Sequence, residues 1–149
     1  MSVLENVKRI LDEKGIDYRI FEHEPVYTSE QAARVRGVDV KTGVKAMVLK
    51  TEKGEYVMAL VRADKRVDLD RISGLEGSPV KLAPPLEVLE VVGCEVGSVP
   101  PFGHETRLKT YLDRDILENE FVSFNCGEHT KSITMRADDL KKVVEGVLF

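Results

Sequence analysis

Val3, Leu4, Val7, Ile10 and Leu11 recur at helical spacing, and Gly15 stands where a helix C-cap belongs, so the chain is predicted to open with an amphipathic helix. Tyr18 to Phe21 reads as a short strand. Thr28 followed by Gln31 is a capping-box pattern, and predicts a helix through Ala32, Ala33 and Val35 that stops at Gly37. Val44–Thr51 and Tyr56–Ala63 are apolar runs separated by a Gly54 turn, the pattern of a hairpin. Asp68 is placed to cap a short helix over Leu69–Leu75. Val80–Ala83 reads as a strand, and Pro84 and Pro85 open a helix that Gly93 ends. Leu108–Leu112 reads as a strand and Asp115–Asn119 as a helical turn. Phe121–Asn125 and Ser132–Met135 are strands around a turn at Gly127. Asp138 or Asp139 starts a last helix with Leu140, Val143, Val144 and Val147 on one face. The order lacks strict β-α-β alternation. It predicts an α/β fold of the α+β type, with a mixed, largely antiparallel sheet.

Composition changes this picture little. The 149 residues are 42% hydrophobic and 32% charged, which fits one globular domain spanning 1–149. No apolar run has the length of a membrane span, and the N-terminus lacks the apolar core of a signal peptide, so a cytoplasmic protein without a membrane partner is expected. A net charge of -4 argues against a non-specific nucleic-acid binder. Cys94 and Cys126 form no C-x-x-C and read as buried free thiols. His23, His104 and His129 lack metal-ligand spacing. No nucleophile elbow, zinc-protease motif or dinucleotide fingerprint occurs. Gly37 to Lys45 has the wrong glycine spacing for a phosphate loop.

Two features carry candidate chemistry. Between Val91 and Asp113 the chain concentrates Gly93, Gly97, Pro100, Pro101 and Gly103. Such a loop is rigid and leaves backbone N–H groups at Gly97, Ser98 and Val99, which can hold an oxyanion, a phosphate or a water. The same composition also suits a plain crossover loop. Lys45 alternates with Val44 and Ala46 in a strand apolar on both faces. It is either a strand-end lysine reaching solvent or a point charge at a pocket mouth. His23 reads as packed beside the first strand, His129 as a solvent-facing turn residue, and Asp138 and Asp139 as a helix N-terminus.

Taken together, His23-x-Pro25-x-x-Thr28-x-Glu30-x-Ala32-Ala33, Gly37, Lys45 entering an apolar strand, and Val57–Val61 resemble one known family. So do Gly93-x-x-x-Gly97-Ser-Val-Pro-Pro101-Phe-Gly103, Leu112-Asp113, Gly127 before Ile133, and Asp139-Leu140. The family is that of the YbaK/prolyl-tRNA-synthetase-associated editing domains, the trans-acting aminoacyl-tRNA deacylases. The resemblance spans nearly the whole chain. It implies a sheet curled toward a barrel with surrounding helices, and a side pocket. It implies hydrolysis of the ester joining a small wrong amino acid, such as cysteine or alanine, to the 3′ end of a tRNA, typically tRNA(Pro). It implies catalytic positions at Lys45, Gly97, Ser98 and Val99. Substrate contacts would come from Pro100, Pro101, Phe102, Gly103, His23, Thr28 and His129. No metal and no cofactor are expected, and the substrate's terminal ribose hydroxyl is implied in proton handling. The acidic balance implies weak tRNA contact by the domain alone, with prolyl-tRNA synthetase as a helper in trans. With no synthetase domains in the chain, a free-standing protein is expected. The competing readings are a non-catalytic module that holds a tRNA end or a synthetase, and a small-molecule pocket protein.

Overall fold

Local capping fixes the helices. In the computed structural model, which describes residues 2–149, α1 (Val3–Glu13) begins where the Ser2 hydroxyl accepts from Glu5 N–H at 3.1 Å. It buries Val7 and Leu11. After β1 (Tyr18–Glu22), the Thr28 hydroxyl accepts from Gln31 N–H at 3.1 Å and starts α2 (Ser29–Arg36). Gly37 ends α2 at a left-handed φ of 70°.

The strands build two sheets. In the first, β2 (Val44–Thr51) and β3 (Tyr56–Arg62) are antiparallel, with Val44 opposite Arg62 and Lys50 opposite Tyr56. α3 (Leu69–Glu76) leads to β4 (Val80–Leu82), which pairs with the far end of β2. α4 (Pro85–Val92) and the Gly/Pro loop then return the chain to β5 (Lys109–Leu112), parallel to β3. In the second sheet β7 (Lys131–Arg136) lies between β1 and β6 (Phe121–Asn125), antiparallel to both. A parallel bridge between Gly43 and Ser123 joins the sheets. The main core lies between them and α1, and includes Leu60, Leu112, Phe124, Ile133 and Leu140. A smaller core of Leu49, Val57, Ala59, Val61, Ile72 and Tyr111 covers the opposite face of the first sheet. β2 is thus buried on both faces, as its two apolar registers require.

The elements follow the sequence expectations, with three differences. Two linked open sheets stand where a single curled sheet was expected, and neither closes. α5 (Ala137–Val144) starts one residue before Asp138, so both aspartates sit in its first turn, where the helix dipole favours them. Val147 does not extend the stripe of α5. Glu145 turns left-handed at φ 48°, Gly146 follows, and β8 (Val147–Leu148) pairs parallel with β5. A Cβ on Gly146 would sit 2.9 Å from the Thr110 carbonyl oxygen, so glycine is what lets the chain approach β5.

Candidate functional site

β3 pairs with β2 along nearly its whole length, but on the other side β4 reaches only Leu49–Thr51. The remaining stretch, Val44–Val48, lines a cavity of about 490 Å³. α2 and its cap contribute Thr28, Ala32, Ala33 and Arg36. The start of α4 adds Pro84, Pro85 and Val88, and Gly97, Val99 and Asn125 complete the lining. Most of these groups are apolar, with a few polar atoms among them, the usual make-up of a small-molecule site.

Two cations face this apolar space. Lys45 and Arg36 both line it, and neither makes an ion pair with a carboxylate among the described residues. Burial holds the Lys45 ammonium below the ordinary lysine range. Glu30 and Asp64 work against that shift and Arg66 adds to it. Burial also pulls Arg36 down to about 10, which leaves it charged at neutral pH. Asp39 is the only carboxylate lining the cavity among the described residues, and its Oδ1 accepts from Lys41 N–H at 3.1 Å.

The Gly/Pro loop is tied down through its carbonyls. Asn125 Nδ2 donates to Gly97 O at 2.7 Å, Gly127 N–H to Ser98 O at 2.8 Å, His104 Nε2 to Pro100 O at 2.8 Å, and Asn6 Nδ2 to Gly103 O at 3.2 Å. Its N–H groups divide differently. Ser98 N–H donates to Glu95 O at 2.9 Å, and the Ser98 hydroxyl donates to the same oxygen at 2.8 Å. Gly97 and Val99 N–H find no protein acceptor among the described residues, and both residues line the cavity. The loop therefore offers two free donors, not the three expected from sequence, because a tight turn at Glu95–Ser98 consumes the middle one.

The structure brings Lys45, Thr28, Gly97 and Val99 onto one cavity. Ser98 is buried beneath it. Pro101, Phe102 and Gly103 line a separate cavity of about 320 Å³ beside α1, with Asn6 and His104. Pro100 is buried, and Phe102 packs edge-on against Phe124 with ring centres 6.1 Å apart. His23 lies outside the first cavity and bonds to Ser132 Oγ at 2.7 Å. His129 does not face solvent as expected. Its ring packs on Tyr27 at 4.6 Å, its Nδ1 donates to Val26 O at 3.1 Å, and its Nε2 lies 3.3 Å from Glu95. The segment Val26–Tyr27 folds over the turn after β6 and closes around the ring.

Residues 23–143 match the family model described as an aminoacyl-tRNA editing domain. The chain belongs to that family. A multifunctional Ser/Thr-tRNA deacylase, ProXp-y, of Escherichia coli K12 is 32% identical over 141 residues, which cover 91% of this chain and 84% of that protein. A prolyl-tRNA editing protein, ProX, of Acetoanaerobium sticklandii is 25% identical, with 91% and 86% covered. A solved structure described as a candidate trans-editing enzyme for prolyl tRNA synthetase superposes with a TM-score of 0.89 at 30% identity. That superposition covers 100% of this chain and 96% of the other.

Sequence reasoning missed three polar residues of this editing domain. Arg36 donates through Nη2 to Asn125 Oδ1 at 2.9 Å and through Nε to Ser132 Oγ at 3.0 Å. Asn125 and Ser132 are cross-strand partners in β6 and β7. Nothing in the spacing of positions 36, 125 and 132 reveals this cluster, because strand pairing assembles it. A legible signal was the arginine itself, the last residue of a helix that Gly37 ends with a left-handed turn. No group of three or more His, Cys, Asp or Glu able to hold a metal ion occurs among the described residues of the editing domain. None of its helices is long and apolar enough to cross a membrane, among those residues.

Proposed function

We propose that the protein is an aminoacyl-tRNA deacylase that hydrolyses the ester of a small mischarged amino acid on a tRNA, with tRNA(Pro) as the carrier. The observation that carries this reading is the meeting of two unengaged N–H donors, Gly97 and Val99, with the Lys45 cation on one largely apolar cavity. Water adds to the ester carbonyl. The carbonyl oxygen gains negative charge, and the two N–H groups stabilise it in a largely apolar space. The C–O bond to the ribose then breaks, and the ribose oxygen leaves with a proton, giving free amino acid and uncharged tRNA. An aminoacyl ester is already activated, so placement and oxyanion stabilisation supply much of the acceleration.

Lys45 holds the charged 3′ end as a point charge. Its burial and lack of a carboxylate partner favour an anionic or strongly polar occupant. No histidine lines the cavity among the described residues. In this reading the vicinal hydroxyl of the terminal ribose relays the proton, as the family resemblance implies. Tyr27 is 69% exposed at the cavity mouth with one face on His129, so its other face is open to a base of the single-stranded end. The cavity sorts by size: one methylene changes binding in such a site by only about 1–3 kcal/mol, so it acts as a second sieve for residues smaller than the cognate one.

Deacylation of tRNA(Pro) carrying serine, threonine, alanine, cysteine or proline tests the proposal. Hydrolysis of at least one small mischarged species, with prolyl-tRNA(Pro) spared, supports it. Hydrolysis of none overturns it.

A further inference from the structure

Four side chains link two backbone carbonyls beside the cavity. His23 Nδ1 lies 2.8 Å from Glu24 O, and His23 Nε2 lies 2.7 Å from Ser132 Oγ. Ser132 Oγ takes Arg36 Nε at 3.0 Å, Asn125 Oδ1 takes Arg36 Nη2 at 2.9 Å, and Asn125 Nδ2 reaches Gly97 O at 2.7 Å. Both ends, Glu24 O and Gly97 O, can only accept. Neutral histidine, serine and asparagine can each accept on one side and donate on the other. A chain of such groups between two acceptors must reverse its direction once, at a residue that donates both ways. Arg36 is that residue, since a guanidinium carries donors only. Reading outward from it, Ser132 O–H takes the nearer of its two acceptors, His23 Nε2 at 2.7 Å rather than Asn125 Oδ1 at 3.4 Å, while His23 Nδ1–H donates to Glu24 O and Asn125 N–H to Gly97 O.

We propose that Arg36 is a positioning residue of the loop. It anchors the oxygen of the Asn125 amide, so that the N–H side is held toward Gly97 O, and so sets where the Gly97 and Val99 N–H groups stand. The proposal rests on the deacylase reading for its consequence in activity, and on the geometry alone for its consequence in structure. The two faces of an asparagine amide are alike in shape, and here a donor-only neighbour on one side, Arg36, and an acceptor-only one on the other, Gly97 O, select the same orientation. That explains why a partly buried cation is kept here with neutral partners and no carboxylate, a costly arrangement by itself.

Asn125→Asp isolates the effect. The carboxylate still accepts from Arg36, now as an ion pair, but presents an acceptor to Gly97 O where a donor stood. With the mischarged tRNA(Pro) that the wild type hydrolyses fastest, kcat is expected to fall about 100-fold, with KM within about threefold and the melting temperature not lowered. Arg36→Gln is expected to lose a similar factor, because an amide can present either face. Arg36→Lys keeps a donor-only group and is expected to recover kcat to within about tenfold of wild type. In proton–nitrogen NMR spectra of Asn125→Asp, the Gly97, Ser98 and Val99 amide signals are expected to move while those of β2 and β3 stay. Wild-type kcat in Asn125→Asp, a change in KM alone, or losses that track unfolding would overturn the proposal. If the wild-type protein hydrolyses no aminoacyl-tRNA, the deacylase reading fails by itself. The NMR comparison then still decides the positioning role, and unmoved loop signals would end it.

Discussion

The Asn125 side chain donates a 2.7 Å hydrogen bond to the carbonyl of Gly97, tying β6 to a loop 28 residues earlier in the chain. Gly97 itself adopts a left-handed φ of 90°, and a Cβ there would meet His129 Cε1 at 3.4 Å. Gly97 lines the cavity and its N–H has no protein acceptor among the described residues, and it is held from one side and crowded from the other. Its backbone suits glycine, and a side chain there would be strained.

Gly97→Ala should therefore damage activity more than stability. Position 97 is exposed, so the added methyl displaces no core atom, but the loop must shift. A fall in kcat of about 100-fold, with a stability loss of only about 1–2 kcal/mol from backbone strain, is the expected result. Wild-type turnover in this variant would show that the loop's placement does not matter.

Gly103→Ala should do the reverse. A Cβ there would lie 2.6 Å from Val7 Cγ2 and 3.3 Å from Val7 N, at a φ of 95°. Val7 is fully buried in α1 and cannot yield. A loss of about 2–4 kcal/mol is expected in urea unfolding, with kcat of the folded fraction near wild type. Unchanged stability would mean that the loop does not seat on α1 as described.

His104 makes stability depend on pH. Burial holds its imidazole below the ordinary value of 6.5, while its bond to the Pro100 carbonyl pulls weakly the other way. The unfolded chain thus binds a proton at a higher pH than the folded one, so this contribution is present above about pH 6.5 and is lost as the pH falls below it. His104→Gln keeps a donor for Pro100 O and removes the titration. The drop in unfolding free energy between about pH 7 and 5.5 should be smaller in the variant than in the wild type. An equal drop would place the pH response elsewhere.

The two cysteines should be inert. Burial pushes Cys94 up to about 11 and, with smaller effects of Cys94 and Glu128, pushes Cys126 up to about 12. Alkylation by iodoacetamide at pH 8 should run about 100-fold or more slower than for a free thiol, and both should react in denaturant. Fast native-state labelling, or loss of deacylation on labelling before unfolding, would contradict their assignment as core residues.

Much of this architecture was legible because local signals agree with the tertiary structure. The Thr28 cap, the Gly54 turn and the double apolar register of β2 each state their role within a few residues. Lys45 stood out for the same reason, as a charge inside a strand covered on both faces. What stayed hidden depends on distant pairing. Arg36, Asn125 and Ser132 meet only because β7 lies between β1 and β6, and His129 is enclosed only because Val26 crosses over it. β8 was missed because Val147 continues the apolar spacing of α5, while the left-handed Glu145 that ends the helix carries no sequence mark. The loop motif was visible as one unit, yet the fold splits it: Gly97 and Val99 on one cavity, Pro101 to Gly103 on another.

The most direct measurement compares wild type and Lys45→Ala in deacylation of tRNA(Pro) charged separately with serine, threonine, alanine, cysteine and proline. Lys45 makes no ion pair among the described residues, so its removal should leave the melting temperature unchanged. The expected result is hydrolysis of at least one small mischarged species by the wild type and a loss of about 100-fold or more in the variant. Undiminished hydrolysis by Lys45→Ala would show that the cavity beside β2 is not where the reaction occurs.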